Sequence, residues 1–242
     1  MTARTHDHRD PNQLREEAAR VHDRLTEGGL AIVPLNVAYA IVGCTEAAIR
    51  RIFAAKQRSY DKPSGLFGSP VWSEALHVLP PERRAAVRIL VEAGLPFSVV
   101  APFDAAHKLL KEVDPFVLEH SSKSGTLDIL INAGPFHDAL AAVAMERGRP
   151  VFGSSANVSL TGSRYRVAHI DPAVRDACVI EIDHGESLYA NALGRSSTIL
   201  DFRDFTVLRY GVCFEAIAAV LRDRCGVALA PEPAASAAAG QA

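Results

Sequence analysis

The stretch LREEAARVHDRLTEGGLAIVPL, residues 14–35, decides the fold class, because a helix pattern in it runs directly into a strand pattern. Four apolar residues recur at the spacing of one helix face: Leu14, Ala18, Val21 and Leu25. Gly28-Gly29 predicts the left-handed turn that ends such a helix. The apolar run 30–35 predicts a buried strand, so helix and strand must pack as neighbouring layers.

Strands and helices alternate along the rest of the chain. Further strands are predicted at 96–103, 126–131, 151–154 and 179–183, with a hairpin over 197–202 and 205–210. Further helices are predicted after Thr45 and at 80–94, 105–113, 136–147 and 214–224. The pattern predicts an α/β fold, a sheet with helices packed on it, in a single domain.

The chain ends differ in composition from the part between them. Residues 1–10 are polar, and residues 228–242 are rich in Ala and Pro without apolar periodicity. We therefore predict a mobile N-terminus over 1–10, a folded domain over 11–227 and a disordered Ala/Pro tail over 228–242.

Composition excludes several classes of protein. The 242 residues carry 26 Lys and Arg against 28 Asp and Glu, so the net charge of -2 provides no global attraction for nucleic acid. The four cysteines show no paired spacing, which argues against a zinc site or a disulfide framework. The most apolar stretch, 30–43, is shorter than the roughly 20 residues of a membrane span, and no export signal is visible. We expect a cytoplasmic protein with no membrane partner.

Common catalytic signatures are also missing. The sequence contains no P-loop, no G-x-G-x-x-G, no G-x-S-x-G and no H-E-x-x-H. We therefore assign no catalytic residue and no metal ligand from the protein.

Three polar segments could hold an anion. Lys56-Gln57-Arg58-Ser59 with Lys62-Pro63 offers cations at a predicted helix end, although such a cluster can also serve only to complement the helix dipole. Gly153-Ser154-Ser155-Ala156-Asn157 follows a buried strand, where hydroxyl and backbone N–H groups can meet phosphate oxygens or form an ordinary turn. Gly194-Arg195-Ser196-Ser197 delivers an arginine and two serines to the start of another strand.

Taken in order, these segments resemble the YrdC-like threonylcarbamoyl-AMP synthase family. The family's P-T-D-T-x-Y-G-L, K-x-R with K-P, P-G-P-x-T, S-x-N, S-T-I-x-D and R-x-G motifs correspond to 34–41, 56–63, 94–98, 155–157, 197–201 and 209–211. The resemblance covers about 14–224 and implies a twisted mixed sheet with helices packed on it. It also implies a nucleotidyltransferase that converts ATP, bicarbonate and an amino acid into a carbamoyl-adenylate and pyrophosphate, for use in tRNA modification.

The resemblance implies a site in two halves. The nucleotide half, for ATP with Mg²⁺, consists of Lys56, Arg58, Lys62, Ser155, Asn157, Arg195 and Ser197. The substrate pocket consists of Val37, Tyr39, Phe67, Ser98 and Leu130. Attack of a carbamate oxygen on the α-phosphorus needs positioning and charge neutralisation more than an acid–base pair, which agrees with the absence of a conspicuous dyad.

This chain departs from the family pattern on the amino-acid side. Leu35 and Val37 stand where the family has threonines, Phe67 where it has a histidine and Leu130 where it has an arginine. Lost hydrogen bonds are worth about 0.5–1.5 kcal/mol each, so we expect an amine or amino acid more apolar than threonine.

Two alternatives stay open at this point. The chain could be a non-catalytic module that binds nucleotide or double-stranded RNA through Arg50, Arg51, Lys56, Arg58 and Lys62. It could also be a carbamoyl or acyl-adenylate transferase that serves a small metabolite. The sequence does not determine the oligomeric state.

Overall fold

A computed structural model describes residues 9–233 of the chain. Residues 1–8 lie outside the described residues, as do residues 234–242, so most of the predicted mobile N-terminus and part of the predicted tail fall outside that range. Asp10 lies inside it and caps the first helix, because its side chain accepts a hydrogen bond from the Asn12 N–H.

The described residues form eight α-helices and ten strands. The helices are α1 Pro11–Thr26, α2 Glu46–Ala55, α3 Pro70–Leu76, α4 Pro81–Glu92, α5 Pro115–Glu119, α6 Pro135–Glu146, α7 Pro172–Arg175 and α8 Phe214–Cys225. The strands are β1 Ala31–Val33, β2 Ala40–Gly43, β3 Gly65–Phe67, β4 Phe97–Pro102, β5 Ser122–Lys123, β6 Thr126–Ile131, β7 Phe152–Ser155, β8 Ile180–Glu181, β9 Thr198–Asp201 and β10 Thr206–Arg209.

All ten strands join one mixed sheet, in the order β10-β9-β4-β6-β3-β7-β2-β1-β8, with β5 paired to β6. The β1–β8, β3–β6 and β4–β9 pairs are parallel and the others antiparallel. Helices α1 and α6 pack on each other, as do α4 and α8. The predicted single-domain α/β fold with a mixed sheet is confirmed.

The two faces of the central strands differ in chemistry. Along β6, Leu127, Ile129 and Ile131 are fully buried in the hydrophobic core. The alternate residues Thr126 and Asp128 point to the opposite face, because side chains alternate along a strand. This second face forms the floor of the site described below.

Two sequence predictions need correction. The strand predicted over 30–35 is shorter, Ala31–Val33, and it is the first strand of a hairpin, since β2 pairs antiparallel to β1 and the chain reverses between them. The predicted helix 105–113 is only a short 3₁₀ turn, Lys108–Leu110. There the Asp104 and His107 side chains accept backbone N–H groups at 3.0 and 3.2 Å, which competes with helical hydrogen bonds.

Within residues 9–233, none of the helices combines the length and the apolar character that crossing a membrane requires.

Candidate functional site

A cavity of about 860 Å³ lies on the second face of the sheet. Val100, Asp128, Ile199 and Asp201 form its floor, and their strands are neighbours: Val100 pairs with Asp128 on one side and with Asp201 on the other. The walls come from the segments 56–63, 121–124, 155–163 and 194–196 and from β10. The three polar segments singled out in the sequence therefore surround one cavity.

The cavity is strongly cationic although the chain as a whole is not. Three aspartates line it against seven Lys and Arg side chains: Lys56, Arg58, Lys62, Lys123, Arg195, Arg203 and Arg209. Arg195 is paired with Glu232 and Arg203 with Asp201, both at 2.7 Å. The other five have no carboxylate partner within residues 9–233, so the cavity suits a polyanion such as a triphosphate.

Lys56 occupies an unexpected position in this cluster. We predicted an exposed loop residue, but its side chain is only 1% exposed. Its Nζ donates hydrogen bonds to the main-chain oxygens of Ser155 and Asn157, the second at 2.6 Å. Burial and the charge of Arg58 lower the pKa of Lys56 to about 7. Lys56 thus joins the end of α2 to the Ser155–Asn157 loop and also adds charge to the cavity wall.

Arg58 and Arg209 face each other where the cavity narrows. Arg58 donates to the carbonyls of Lys62 and Pro63 at 2.9 and 2.8 Å. Arg209 donates its Nε and Nη2 to the carbonyl and hydroxyl oxygens of Ser197, both at 2.8 Å. Burial lowers the pKa of Arg58, and the charge of Arg209 lowers it further. Both guanidinium groups keep their charge, and their repulsion would be relieved by a bound anion.

Arg195 and the chain beyond residue 227 meet at the cavity edge. The Glu232 carboxylate pairs with Arg195, and the Tyr210 hydroxyl lies 3.1 Å from the Pro231 carbonyl. Residues 231 and 232 therefore contact the folded domain, and the disorder of 228–242 stays a prediction. Residues 234–242 of the predicted tail lie outside the described residues.

A second, smaller cavity of about 120 Å³ adjoins the first. Arg58, Asp128 and Arg209 line both cavities. Its apolar wall contains Leu35, Phe67 and Leu130, three of the positions where the chain departs from the family pattern. Ser98 and Ser197 also line it, and Ser197, which we predicted for the nucleotide half, does not line the large cavity.

Two residues predicted for the substrate pocket contribute less than expected. Val37 is fully buried and does not line either cavity. Tyr39 lines the small cavity, but its hydroxyl lies 2.9 Å from Asp183 Oδ1 and 2.7 Å from the Gly185 carbonyl. These contacts hold the hydroxyl within the protein, so Tyr39 offers a bound molecule its ring.

The structure also brings in residues that we did not predict. The most informative are Arg209, Asp128, Asp201, Lys123 and Ser196, which all line the large cavity. Asp128 had a visible signal, because it is the charged residue inside the apolar run 126–131. Gly211 of the R-x-G motif explains the position of Arg209. A Cβ at residue 211 would clash with the Ser196 carbonyl oxygen, so only glycine allows the chain after β10 to pass this close to the Ser196–Ser197 segment.

The five cations suggested for an RNA surface differ in their exposure and in their partners. Lys56 is buried, and Arg58 lines the cavities. Arg50 pairs with Glu46 at 2.7 Å, and Arg51 donates to the Gly28 carbonyl. Of the five residues, only Lys62 is exposed without a carboxylate or carbonyl partner for its side chain within residues 9–233.

Comparison with known proteins agrees with this geometry. A family profile for Sua5, YciO and YrdC, described as telomere recombination, matches residues 23–211. The chain belongs to the Sua5/YciO/YrdC family. The resemblance inferred from six motifs is confirmed. None of the curated protein sequences matches the chain.

Several solved structures share the fold. A hypothetical protein of Streptococcus mutans UA159 is 22% identical, with a TM-score of 0.76 over 94% of this chain and 98% of its own. Sua5 of P. abyssi complexed with L-threonine is 22% identical, with a TM-score of 0.67 over 94% of this chain and 62% of its own. YciO of E. coli is 18% identical, with a TM-score of 0.63 over 85% of this chain and 92% of its own.

The low pKa of Lys56 predicts a pH-dependent anion affinity. A bound polyphosphate favours the ammonium form, so binding should take up a proton above pH 7, and affinity should fall by up to about tenfold per pH unit there. Isothermal titration of ATP in buffers of different ionisation enthalpy measures this uptake. Lys56→Met keeps the side-chain length without a titrating group and controls for titration of ATP itself. Equal proton uptake by the two proteins would contradict the assignment.

Proposed function

We propose that the protein forms a carbamoyl-adenylate from ATP, bicarbonate and a small amine or amino acid that is less polar than threonine. The observation that carries the proposal is that two cavities adjoin. One is large and cationic, the other is small and partly apolar, and Arg58 and Arg209 line both. A nucleoside triphosphate bound in the large cavity would place its phosphates next to a molecule bound in the small cavity.

The chemistry has two steps. Bicarbonate takes up a proton and loses water to give carbon dioxide. The amine nitrogen then attacks its carbon and releases a proton, so the carbamate forms with net loss of one water. A carbamate oxygen then attacks the α-phosphorus, the bond to the β-phosphate oxygen breaks, and pyrophosphate leaves with the electron pair. Arg58 and Arg209 would stabilise the negative charge that builds up on the phosphates, which is the largest requirement of this step.

The protein's part in holding Mg²⁺ follows from its donor groups. No group of three or more His, Cys, Asp or Glu placed for a metal occurs in residues 9–233. Asp201 already accepts hydrogen bonds from Arg203. This donor set fits an Mg²⁺ that arrives on the triphosphate, keeps several water ligands and gains at most one carboxylate, Asp61, from the wall. Mg²⁺ would neutralise phosphate charge.

One observation supports an amino acid as substrate, and a second one argues against threonine itself. P. abyssi Sua5 is described in complex with L-threonine, so the same fold accommodates an amino acid. In this chain, however, Leu35, Phe67 and Leu130 line the small cavity where the family pattern has polar side chains. Polar groups of threonine would lose hydrogen bonds against this wall, whereas an aliphatic group would pack on it.

Pyrophosphate release tests the proposal. We expect release that requires ATP, bicarbonate and an aliphatic amine or amino acid together, with threonine at least about tenfold less effective than valine. Arg209→Met provides the matched inactive control. Absence of release across aliphatic amines and all amino acids, in protein shown to bind ATP, would refute the proposal. Bicarbonate-independent release with carboxylic acids would show an acyl-adenylate instead.

A further inference from the structure

Asp128 occupies the position between the two cavities. It is the third residue of β6, and its neighbours Ile129 and Leu127 face the core. Its side chain lines the large cavity and the small one, and its Oδ2 would lie 3.3 Å from a Cβ at Gly65. A carboxylate therefore lies directly beside the apolar wall of the small cavity.

One oxygen of this carboxylate has no partner. Asp128 Oδ1 is buried and makes no hydrogen bond among the described residues. Buried polar atoms in proteins are almost always satisfied, so an unpartnered carboxylate oxygen on a residue that lines two cavities favours binding of a molecule that carries a donor. Leaving a charged acceptor unpaired costs more than leaving a neutral one, so a ligand that donates to it gains correspondingly.

The surrounding charges do not satisfy Asp128. Arg209 uses its Nε and Nη2 on Ser197 and forms no ion pair with Asp128 within residues 9–233. Burial raises the pKa of Asp128, and although the charge of Arg209 and the Ser98 hydroxyl lower it, burial is the larger effect. The position thus lacks a cationic donor.

The volume of the small cavity limits the size of the molecule that could carry the donor group. A cavity of about 150 Å³ holds a molecule the size of benzene, so the 120 Å³ here accepts roughly five or six non-hydrogen atoms. One end of the cavity is apolar, at Leu35, Phe67 and Leu130, and the other holds Asp128. These features together describe a short aliphatic group that ends in an amine.

We propose that Asp128 binds the amino group of the substrate and thereby selects a small aliphatic amine, either a simple amine or an amino acid. This inference rests on the proposed function, since the amine it names is the one to be carbamoylated. A carboxylate at this place contributes an acceptor for the N–H donors, whereas the arginine of the family pattern at Leu130 would have provided a positive charge two residues away on the same strand face.

Three probes that share an isopropyl group distinguish a simple amine from an amino acid. Isobutylamine carries the amine alone, valine carries an amine and a carboxylate, and isobutyrate carries only the carboxylate. We expect isobutylamine or valine to bind in isothermal titration of the full-length protein and isobutyrate not to bind. If valine binds more strongly than isobutylamine, its carboxylate contacts Arg58 or Arg209. If isobutylamine binds more strongly than valine, the substrate is a simple amine.

Asp128→Asn is the deciding variant, because it keeps the shape and removes the charge. Amine affinity should fall by about tenfold or more, while ATP affinity stays unchanged or rises. Glu119→Gln, at an exposed carboxylate outside both cavities, should leave amine affinity unchanged. Thermal unfolding confirms that both variants fold, and Asp128→Asn should be no less stable than the parent, since it removes a buried unpaired charge.

The outcomes separate this inference from the proposed function. Amine binding that depends on Asp128 without any pyrophosphate release would preserve the inference and refute the function. Pyrophosphate release with an amine whose affinity Asp128→Asn does not change would preserve the function and overturn the inference. Asp128-dependent binding of isobutyrate would also overturn it, because a protonated Asp128 would then be donating to a carboxylate.

Discussion

Replacing Lys56 with alanine should lower the free energy of unfolding by about 3 kcal/mol. The substitution removes a buried donor from two main-chain carbonyls, and each buried acceptor left without a partner costs about 1–3 kcal/mol. It also leaves a cavity where the 1%-exposed side chain was packed. Relief from burying the ammonium offsets part of this sum. Urea denaturation measures this loss as a lower midpoint concentration, with the slope of free energy against urea concentration (the m-value) unchanged.

The same loop provides the control. Lys62 lies six residues further on, is exposed and also lines the large cavity. Lys62→Ala should change the free energy of unfolding by no more than about 0.5 kcal/mol. Lys56→Met separates the two causes, since it restores most of the packed volume without a donor. If Lys56→Ala and Lys62→Ala are equally stable, the ammonium does not hold the Ser155–Asn157 loop.

Replacing Arg209 with methionine should weaken ATP binding by about 100-fold, or about 2.7 kcal/mol. Arg209 lies at the junction of both cavities and has no carboxylate partner within residues 9–233, so its charge is available to phosphate. A hydrogen bond to a charged group contributes about 1.5–3 kcal/mol, and a guanidinium can make two such bonds to one phosphate. Isothermal titration of ATP gives the Kd of the variant.

Arg203 provides a matched comparison for this prediction. It lines the same cavity, but its guanidinium pairs with Asp201 at 2.7 Å. Arg203→Met should therefore change the Kd of ATP by no more than about threefold. Equal losses in the two variants would mean that ATP responds to the total charge of the cavity and that Arg209 has no specific place in it. Circular dichroism of both variants excludes a loss of fold, since Arg209 also contacts Ser197.

Much of the site could be predicted because its motifs are local. The segments 56–63, 153–157 and 194–201 each place their polar residues within a few positions, and the order of six such motifs identified the family. Lys56, Arg58, Lys62, Ser155, Asn157 and Arg195 do line one cavity. The sequence did not predict the burial of Lys56. This residue lies in a polar segment, yet its side chain points into the protein, towards carbonyls about a hundred positions further along the chain.

Other failures share this cause. Val37 follows an apolar strand and carries a motif position, but the turn between β1 and β2 directs it into the protein interior rather than into the cavity. Arg209 begins the R-x-G motif and Asp128 is the charged residue of an apolar strand, but neither signal predicts that the two residues line the same cavities. They come together because β6, β4, β9 and β10 are consecutive in the sheet.

The sequence by itself determined the alternation of helices and strands, the polar segments and the family, since periodicity and short motifs depend on neighbouring residues. Only the tertiary structure decided which cations remain unneutralised, that Leu35, Phe67 and Leu130 line one small cavity, and that Asp128 lies there with an unpaired oxygen. Burial and charge pairing arise between residues that are distant along the chain, and strand order, which sets those neighbours, is fixed by packing of the whole sheet.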